Sequence, residues 1–359
     1  PLYSLQLFQL AEDGACCLGL LLHHLIADPR SCQIYLDELL EYYQRLVADP
    51  DGAAPPASAT PFRYWAEREA RASSHEPDDG RVSAQRAWWS RQPWNRASTL
   101  PADRPVTSTD RGSAQSIVAA LTEDETIALR DEALAAFRVT LEELILCALA
   151  IALANRTGAN TVTITTHSDA RDEFSDIDLS RSLGLYTLPC LHLCEVPSGS
   201  LGDQINALKE QLRQTQQHRL SYATWIQGDV PAHVIHLGQI HFQYRDAIEL
   251  PDKIDGTPWQ LISWQRRTPR DGTRPGLLEL DCTEVATRLT VTLIYSQQAH
   301  EHTTAQALSD ALLSTLRDMI DHSRDSQISA VPSDFPLAEM DASELSVLAA
   351  LIEQSESSD

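Results

Sequence analysis

The chain opens with two short runs dominated by apolar residues, LQLFQL and CCLGLLL, separated by Glu12-Asp13-Gly14. Alternation, then a turn, then a second apolar run predicts a β-hairpin whose second strand leads into His23-His24. Pro29 suits a first helical position, where a missing N–H costs nothing. Beyond it Ile34, Leu39, Leu40, Tyr43 and Leu46 recur at helical spacing, which predicts an amphipathic helix. The stretch ADPDGAAPPASATP reads as loop. Two more helices are expected over residues 62–71 and 83–91.

Pro- and Ser-containing sequence over residues 93–113 forms a connector, and a domain boundary placed in it divides 1–100 from 101–359. A strand over 114–121 then meets Thr122-Glu123-Asp124-Glu125, a capping-box pattern. A second box, Thr140-Leu141-Glu142-Glu143, starts the strongly apolar helix EELILCALAIALA, and Gly158 lies just past its end as a helix stop. Strands are expected over 161–166, 234–244, 260–266, 277–281 and 288–295. Helices are expected over 201–217 and 303–322, with a tail helix from Ala342. Strands and helices mix along the whole chain, so the fold class is α/β in two layers. There are no internal repeats, and no Gly-rich phosphate loop appears.

Composition narrows the function classes. With 43% hydrophobic and 22% charged residues the chain has the make-up of a soluble globular protein. No apolar run approaches the roughly 18–20 residues that span a bilayer, so no membrane role is expected. The opening residues lack the basic flank and cleavage site of a secretory leader, and a cytoplasmic location is expected. A net charge of −23 without a dense Lys/Arg block argues against binding nucleic acid. Seven scattered cysteines do not make a disulfide framework. Cys190, His192 and Cys194 fall on one face of a strand, but no second cluster completes a metal site, so no metal is expected.

The sharpest chemical constellation is His23-His24-Leu25-Ile26-Ala27-Asp28. It lies between an apolar strand and a helix, on a turn that can present an imidazole nitrogen to a cleft. An imidazole's ordinary pKa near 6.5 suits proton transfer at neutral pH. Asp28 can orient the loop or form an ion pair.

This string resembles the His-His-x-x-x-Asp-Gly motif of the condensation and epimerisation domains of nonribosomal peptide synthetases. Further segments match in the family's order: FRYWAEREA, AWWSRQ, LPADRP, LTEDETIAL and ALANRTG. DIDLSRSLGLYTLPCLHL, INALKEQLRQ and PSDFPLAEMDASEL resemble segments of the epimerisation branch. The resemblance covers nearly the whole chain. It implies a chloramphenicol acetyltransferase-like fold, with two lobes forming a V-shaped pseudo-dimer. Residues 1–100 would be part of the N-terminal lobe, and 101–359 the C-terminal lobe with its tail helix. On the same resemblance, roughly the first quarter of a usual domain would precede this chain.

Carried over position by position, the resemblance makes His24 the acid–base residue beside His23, with Asp28 and Arg171 as structural residues at the site. Three positions depart from the family pattern. Pro29 replaces a glycine, Thr165 stands where epimerisation domains have a catalytic glutamate, and Gln243 replaces an asparagine. Epimerisation needs a base on one face of Cα and an acid on the other, and a threonine hydroxyl is too weak for either. Condensation asks less, because much of the acceleration comes from holding two tethered reactants together. A third reading is a non-catalytic interface domain that docks a tailoring enzyme such as an oxygenase. The implied partners are peptidyl carrier proteins and neighbouring synthetase domains. No cofactor is bound directly, since phosphopantetheine arrives attached to the carrier.

Overall fold

The computed structural model describes residues 2–9, 16–50, 54, 57–73, 81–106, 110–226, 230–231, 234, 236–245, 271–285, 287–325, 330–335 and 344. The expected turn at Glu12–Gly14, the strand over 260–266 and the tail helix from Ala342, apart from Glu344, lie outside the described residues. The described residues gather into two compact units: those within 1–83 and 167–188 form the first, and the remainder forms the second.

In the first unit, strands β1 (Tyr3–Gln9) and β2 (Cys16–Leu22) pair antiparallel, with Tyr3 opposite Leu22 and Gln9 opposite Cys16. This is the hairpin that the alternation predicts. Its side chains stay open, with Tyr3, Leu7 and Leu21 among the exposed apolar residues. Helix α1 (Pro29–Ala48) begins at Pro29 with Asp28 as its N-cap, and α2 spans Phe62–Ser73. Of the expected apolar stripe on α1, Ile34 is buried and Leu46 is exposed, so its covered face lies near its N-terminus.

The second unit is built on a six-stranded sheet in the order β3-β8-β7-β6-β4-β5. These strands are β3 (Ala114–Ala120), β4 (Thr161–Asp169), β5 (Thr187–Glu195), β6 (Ile240–Arg245), β7 (Leu278–Val285) and β8 (Arg288–Ser296). β4, β6 and β7 run parallel to one another, and β7, β8 and β3 alternate in direction. Register places Ile117, Leu293, Leu280 and Phe242 in one row across the sheet, and all four are buried in the main core. Neighbours one residue along point the other way, where Val118 is 66% exposed.

Helix α3 (Arg81–Arg91) also comes where a helix is expected. Helix α4 (Glu123–Ala128) runs through a π-helical turn, Leu129–Ala133, into α5 (Leu134–Phe137). Helix α6 (Leu141–Thr157) is buried from Leu144 to Ala154, as an all-apolar helix must be. Both expected capping boxes form, at Thr122/Glu125 and Thr140/Glu143, and Gly158 ends α6 with φ +69°. Helices α7 (Leu201–Gln216), α8 (Arg219–Ile226) and α9 (His302–Asp325) complete the unit.

The strand expected over 234–244 is shorter. The N–H groups of Val234, Leu237 and Gln239 bond locally to Pro231, Val234 and Leu237 carbonyls. Those turn bonds occupy the backbone that a strand would need, so β6 starts at Ile240. No expected element announces α8, which is buried at Leu220, Ser221, Tyr222 and Trp225 and so lacks the polar stripe of a surface helix.

Candidate active site

The His-His segment occupies the turn between β2 and α1, closed by the Ile26 N–H donating to the His23 carbonyl at 3.0 Å. Both histidines are exposed, and their backbone surroundings give them different roles. His23 Nδ1 accepts the Leu25 N–H at 3.1 Å, so a neutral His23 carries its proton on Nε2. His24 Nδ1 lies 3.0 Å from the Ala27 carbonyl oxygen. A carbonyl only accepts, so this nitrogen is the protonated one and the lone pair is on Nε2. The tautomers are thus assigned from hydrogen-bond partners. Of the two rings, His24 is the one that offers an outer nitrogen able to take a proton.

Asp28 caps α1 and is 2% exposed. Its Oδ1 accepts the Ser31 N–H at 2.7 Å and Arg171 Nη2 at 3.0 Å. Its Oδ2 accepts Arg171 Nη1 at 2.9 Å and the Tyr186 N–H at 3.0 Å. Burial, the largest influence, pushes this carboxyl's pKa up. Arg171's hydrogen bonds and charge, with the Ser31 bonds, outweigh it and hold the group below its ordinary value. Four charge-assisted bonds converge on this one buried carboxylate. Pro29 fits without disturbing the cap, because a helix's first N–H has no intrahelical partner to lose.

The loop carrying SRSLGLY wraps the other side of this ion pair. The Arg171 guanidinium stacks on the Tyr186 ring, 4.1 Å from its centroid. Tyr186 meets Phe62 and Trp65 edge-on at 5.0 and 5.1 Å. Trp65 Nε1 donates to the Ala170 carbonyl at 3.2 Å, so the tryptophan of FRYWAEREA serves to pack the Arg171 segment. Gly184 has no room for a side chain, since an added Cβ would lie 2.3 Å from Phe62 Cδ2 and 2.9 Å from Tyr186 Cε2.

In the second unit, Thr165 is buried on β4, in register with His241 on β6. Gln243 lies two residues further along β6 and so shares that sheet face with His241 and Thr165, opposite the buried Phe242. His192 is buried between Cys190 and Cys194 and shares a hydrogen bond with Thr166 Oγ1 at 2.9 Å. Burial pushes its pKa down to about 4, so the ring is neutral. Among the described residues no group of three His, Cys, Asp or Glu side chains could hold a metal.

Sequence reasoning missed a second buried node, which joins two of the family-like segments. Lys209 of INALKEQLRQ is fully buried. Its Nζ donates to the Phe137 carbonyl and to both Asp334 oxygens, at 2.9, 2.9 and 3.0 Å. Arg213, one helical turn on, donates to Asp334 at 3.0 Å, to Ser333 at 2.9 Å and to Glu143 at 2.7 Å. The available signal was the i, i+4 spacing of two cations on α7 and the lone aspartate of PSDF, but nothing in the sequence pairs them.

The family model described as Condensation domain matches residues 1–335, and the chain belongs to the condensation domain family. A linear gramicidin synthase of Brevibacillus parabrevis is 29% identical over 347 residues, covering 93% of this chain and 4% of that protein. The chain therefore spans a small fraction of that relative's length. Among solved structures it is similar to the epimerization domain from the third module of tyrocidine synthetase B, with a TM-score of 0.73. That likeness comes at 20% identity and covers 91% of this chain and 73% of the other. It is also similar to a chain in the complex of the X-domain and OxyB from teicoplanin biosynthesis, with a TM-score of 0.60 and 20% identity, over 90% and 70% of the two chains. These likenesses show the condensation-domain, chloramphenicol acetyltransferase-like fold. Among the described residues no helix is long and apolar enough to cross a membrane.

Proposed function

We propose that this condensation-family chain is a catalytic nonribosomal peptide synthetase domain acting on aminoacyl or peptidyl thioesters, with His24 as its acid–base residue. The single observation that carries the reading is the exposed His24 ring, whose Nδ1 is bonded to the Ala27 carbonyl so that Nε2 keeps the lone pair. The substrate would arrive on the phosphopantetheine arm of a peptidyl carrier protein, and the chain itself would bind no cofactor. Its partners would be carrier and neighbouring synthetase domains in the cytoplasm. Residues 1–100 would belong to the N-terminal lobe and 101–359 to the C-terminal lobe, with residues 167–188 returning to pack with the first.

In condensation His24 Nε2 takes a proton from the acceptor amine as its nitrogen attacks the thioester carbonyl. The tetrahedral intermediate then collapses, the carbon–sulfur bond breaks, and the proton passes to the departing thiolate. One positioned base suffices. Epimerisation with the same base would need a second group on the opposite face of Cα, and the Thr165 hydroxyl is too weak an acid or base for that. His23, with its proton on Nε2, is a donor at neutral charge. Asp28 and Arg171 bond each other and the neighbouring loop backbone, and act structurally. Pro29 departs from the family's glycine but still continues a sound helix start. The second reading is a non-catalytic domain that docks a tailoring oxygenase, favoured by Thr165 in place of a carboxylate.

The test uses the chain within its full-length polypeptide, loaded with its carrier-tethered donor in deuterated water, with and without a tethered acceptor. The readouts are new amide, deuterium at Cα and the chirality of the released acid. Amide formation that falls by about 100-fold or more in His24→Ala supports the reading. Deuterium gain with inversion, lost in the same variant, would assign the epimerase branch. Neither product would leave the docking role.

A further inference from the structure

We infer that Gly184, clamped by the Ser31 hydroxyl, is a positioning residue for His24 that acts through the peptide unit joining Ala27 and Asp28. The functional weight of this inference rests on the acid–base reading of His24, while its geometry stands apart from it. A trans peptide is planar, with its C=O and N–H pointing in opposite directions. Here the C=O end, Ala27 O, accepts from His24 Nδ1 at 3.0 Å. The N–H end, on Asp28, donates to the Gly184 carbonyl at 3.1 Å. One peptide plane is thus gripped at both ends, and the imidazole is linked through it to Gly184. Bonds in such a chain polarise one another, which makes Ala27 O a better acceptor.

Gly184 is itself fixed at both of its backbone polar groups. Ser31 Oγ donates to the Gly184 carbonyl at 2.9 Å and accepts the Gly184 N–H at 3.0 Å. The same oxygen accepts Arg171 Nη2 at 2.8 Å, and Ser31 is fully buried. Its one proton and both lone pairs are therefore used. The approach is so close that only glycine fits at 184, with Phe62 and Tyr186 occupying the space of a Cβ. Without the hydroxyl the Gly184 N–H loses its acceptor and the loop loses its seat against α1. The Gly184 carbonyl that grips the Ala27–Asp28 plane then loses its own anchor, and His24 is selected less strongly as the Nδ1–H tautomer. Which ring nitrogen carries the proton is set by the bond that the other group offers. A base with its lone pair on the wrong nitrogen does not face its substrate.

The experiment reads the ring nitrogens of the full chain by long-range proton–nitrogen correlation at about pH 8, where an ordinary imidazole is neutral. His24 is assigned by its loss in His24→Gln. The wild type is expected to show the Nδ1–H form, with slowed amide exchange at Asp28. Ser31→Ala is expected to bring the Nε2–H form to at least equal population. Ser182→Ala, which alters the same loop without touching the Ala27–Asp28 peptide, is expected to leave the tautomer unchanged. An unchanged tautomer in Ser31→Ala overturns the inference. Should that variant not fold, the wild type decides: a Nε2–H ring or an unprotected Asp28 amide overturns it, and the opposite pair sustains it. The readout needs no turnover, so an active His24→Ala would sink the acid–base reading and leave this result standing on its own.

Discussion

Asp28 and Arg171 form a buried ion pair at the start of α1. Both are nearly buried, and Arg171 also pairs with Asp169 at 2.9 Å, so removing the arginine strands Asp28 while removing Asp28 leaves the arginine one counter-charge. Arg171→Ala is expected to destabilise the first unit by about 3–5 kcal/mol, the usual cost of an uncompensated buried charge, read by urea unfolding. A loss below about 1 kcal/mol would mean that water replaces the guanidinium. Gly184→Ala is expected to cost about 1–3 kcal/mol through overlap with Phe62. Combined with Phe62→Leu it should cost less than the sum, as contacting residues do in a double-mutant cycle. The His-His-x-x-x-Asp pattern made the strand-to-helix turn that carries His24 and Asp28 legible, because spacing and the strand-to-helix setting are local properties. The backbone bonds that separate His24 from His23 were not legible, since they depend on how the turn folds. Ser31 and Gly184 stayed hidden for a different reason: they meet across 153 positions of chain.

At the scale of elements, local chemistry was legible wherever it is self-contained. Both Thr–Glu capping boxes, the Gly158 stop and the hairpin all form from neighbours in sequence. The exceptions are α8, whose burial erases its polar face, and the start of β6, where turn bonds displace the strand. The Lys209–Asp334 node is also an element-scale feature, because it seats the Pro332–Asp334 turn on α7. Burial pushes the Asp334 carboxyl's pKa up, but the Val331 N–H and the Lys209 and Arg213 charges hold it below its ordinary value. Asp334→Asn is expected to cost about 3–5 kcal/mol by leaving Lys209 buried without its counter-charge. Limited proteolysis should then cut near residues 330–335 faster than in the wild type. Equal cutting would show that the turn is seated by packing alone.

For the whole molecule, the collinear order of family-like segments made the fold legible almost end to end, since membership is a property of the entire chain. Chemistry is less legible at this scale, because residues such as Thr165 and Gln243 have no partners in the sequence that announce their use. Stability against acid is also a whole-chain property. His192 is pushed down to about 4 by burial, against an ordinary value near 6.5. Between these values the unfolded chain holds a proton on this ring and the folded chain does not, so lowering the pH favours unfolding. His218, His241 and His300 are shifted the same way, chiefly by burial. Midpoints of urea unfolding should therefore fall from about pH 6.5 to about pH 4. His192→Gln should flatten that slope by up to about 1.4 kcal/mol per pH unit. Asp28 and Asp334, held low, should fail only below the ordinary carboxylate range, as pH falls through their lowered values. The decisive measurement concerns His24 as a proton carrier: single-turnover transfer from a loaded carrier, in wild type, in His24→Ala, and in His24→Ala with added imidazole. A fall of about 100-fold or more in the variant, partly restored by imidazole, is the expected result. A variant that turns over at the wild-type rate would contradict acid–base catalysis by His24.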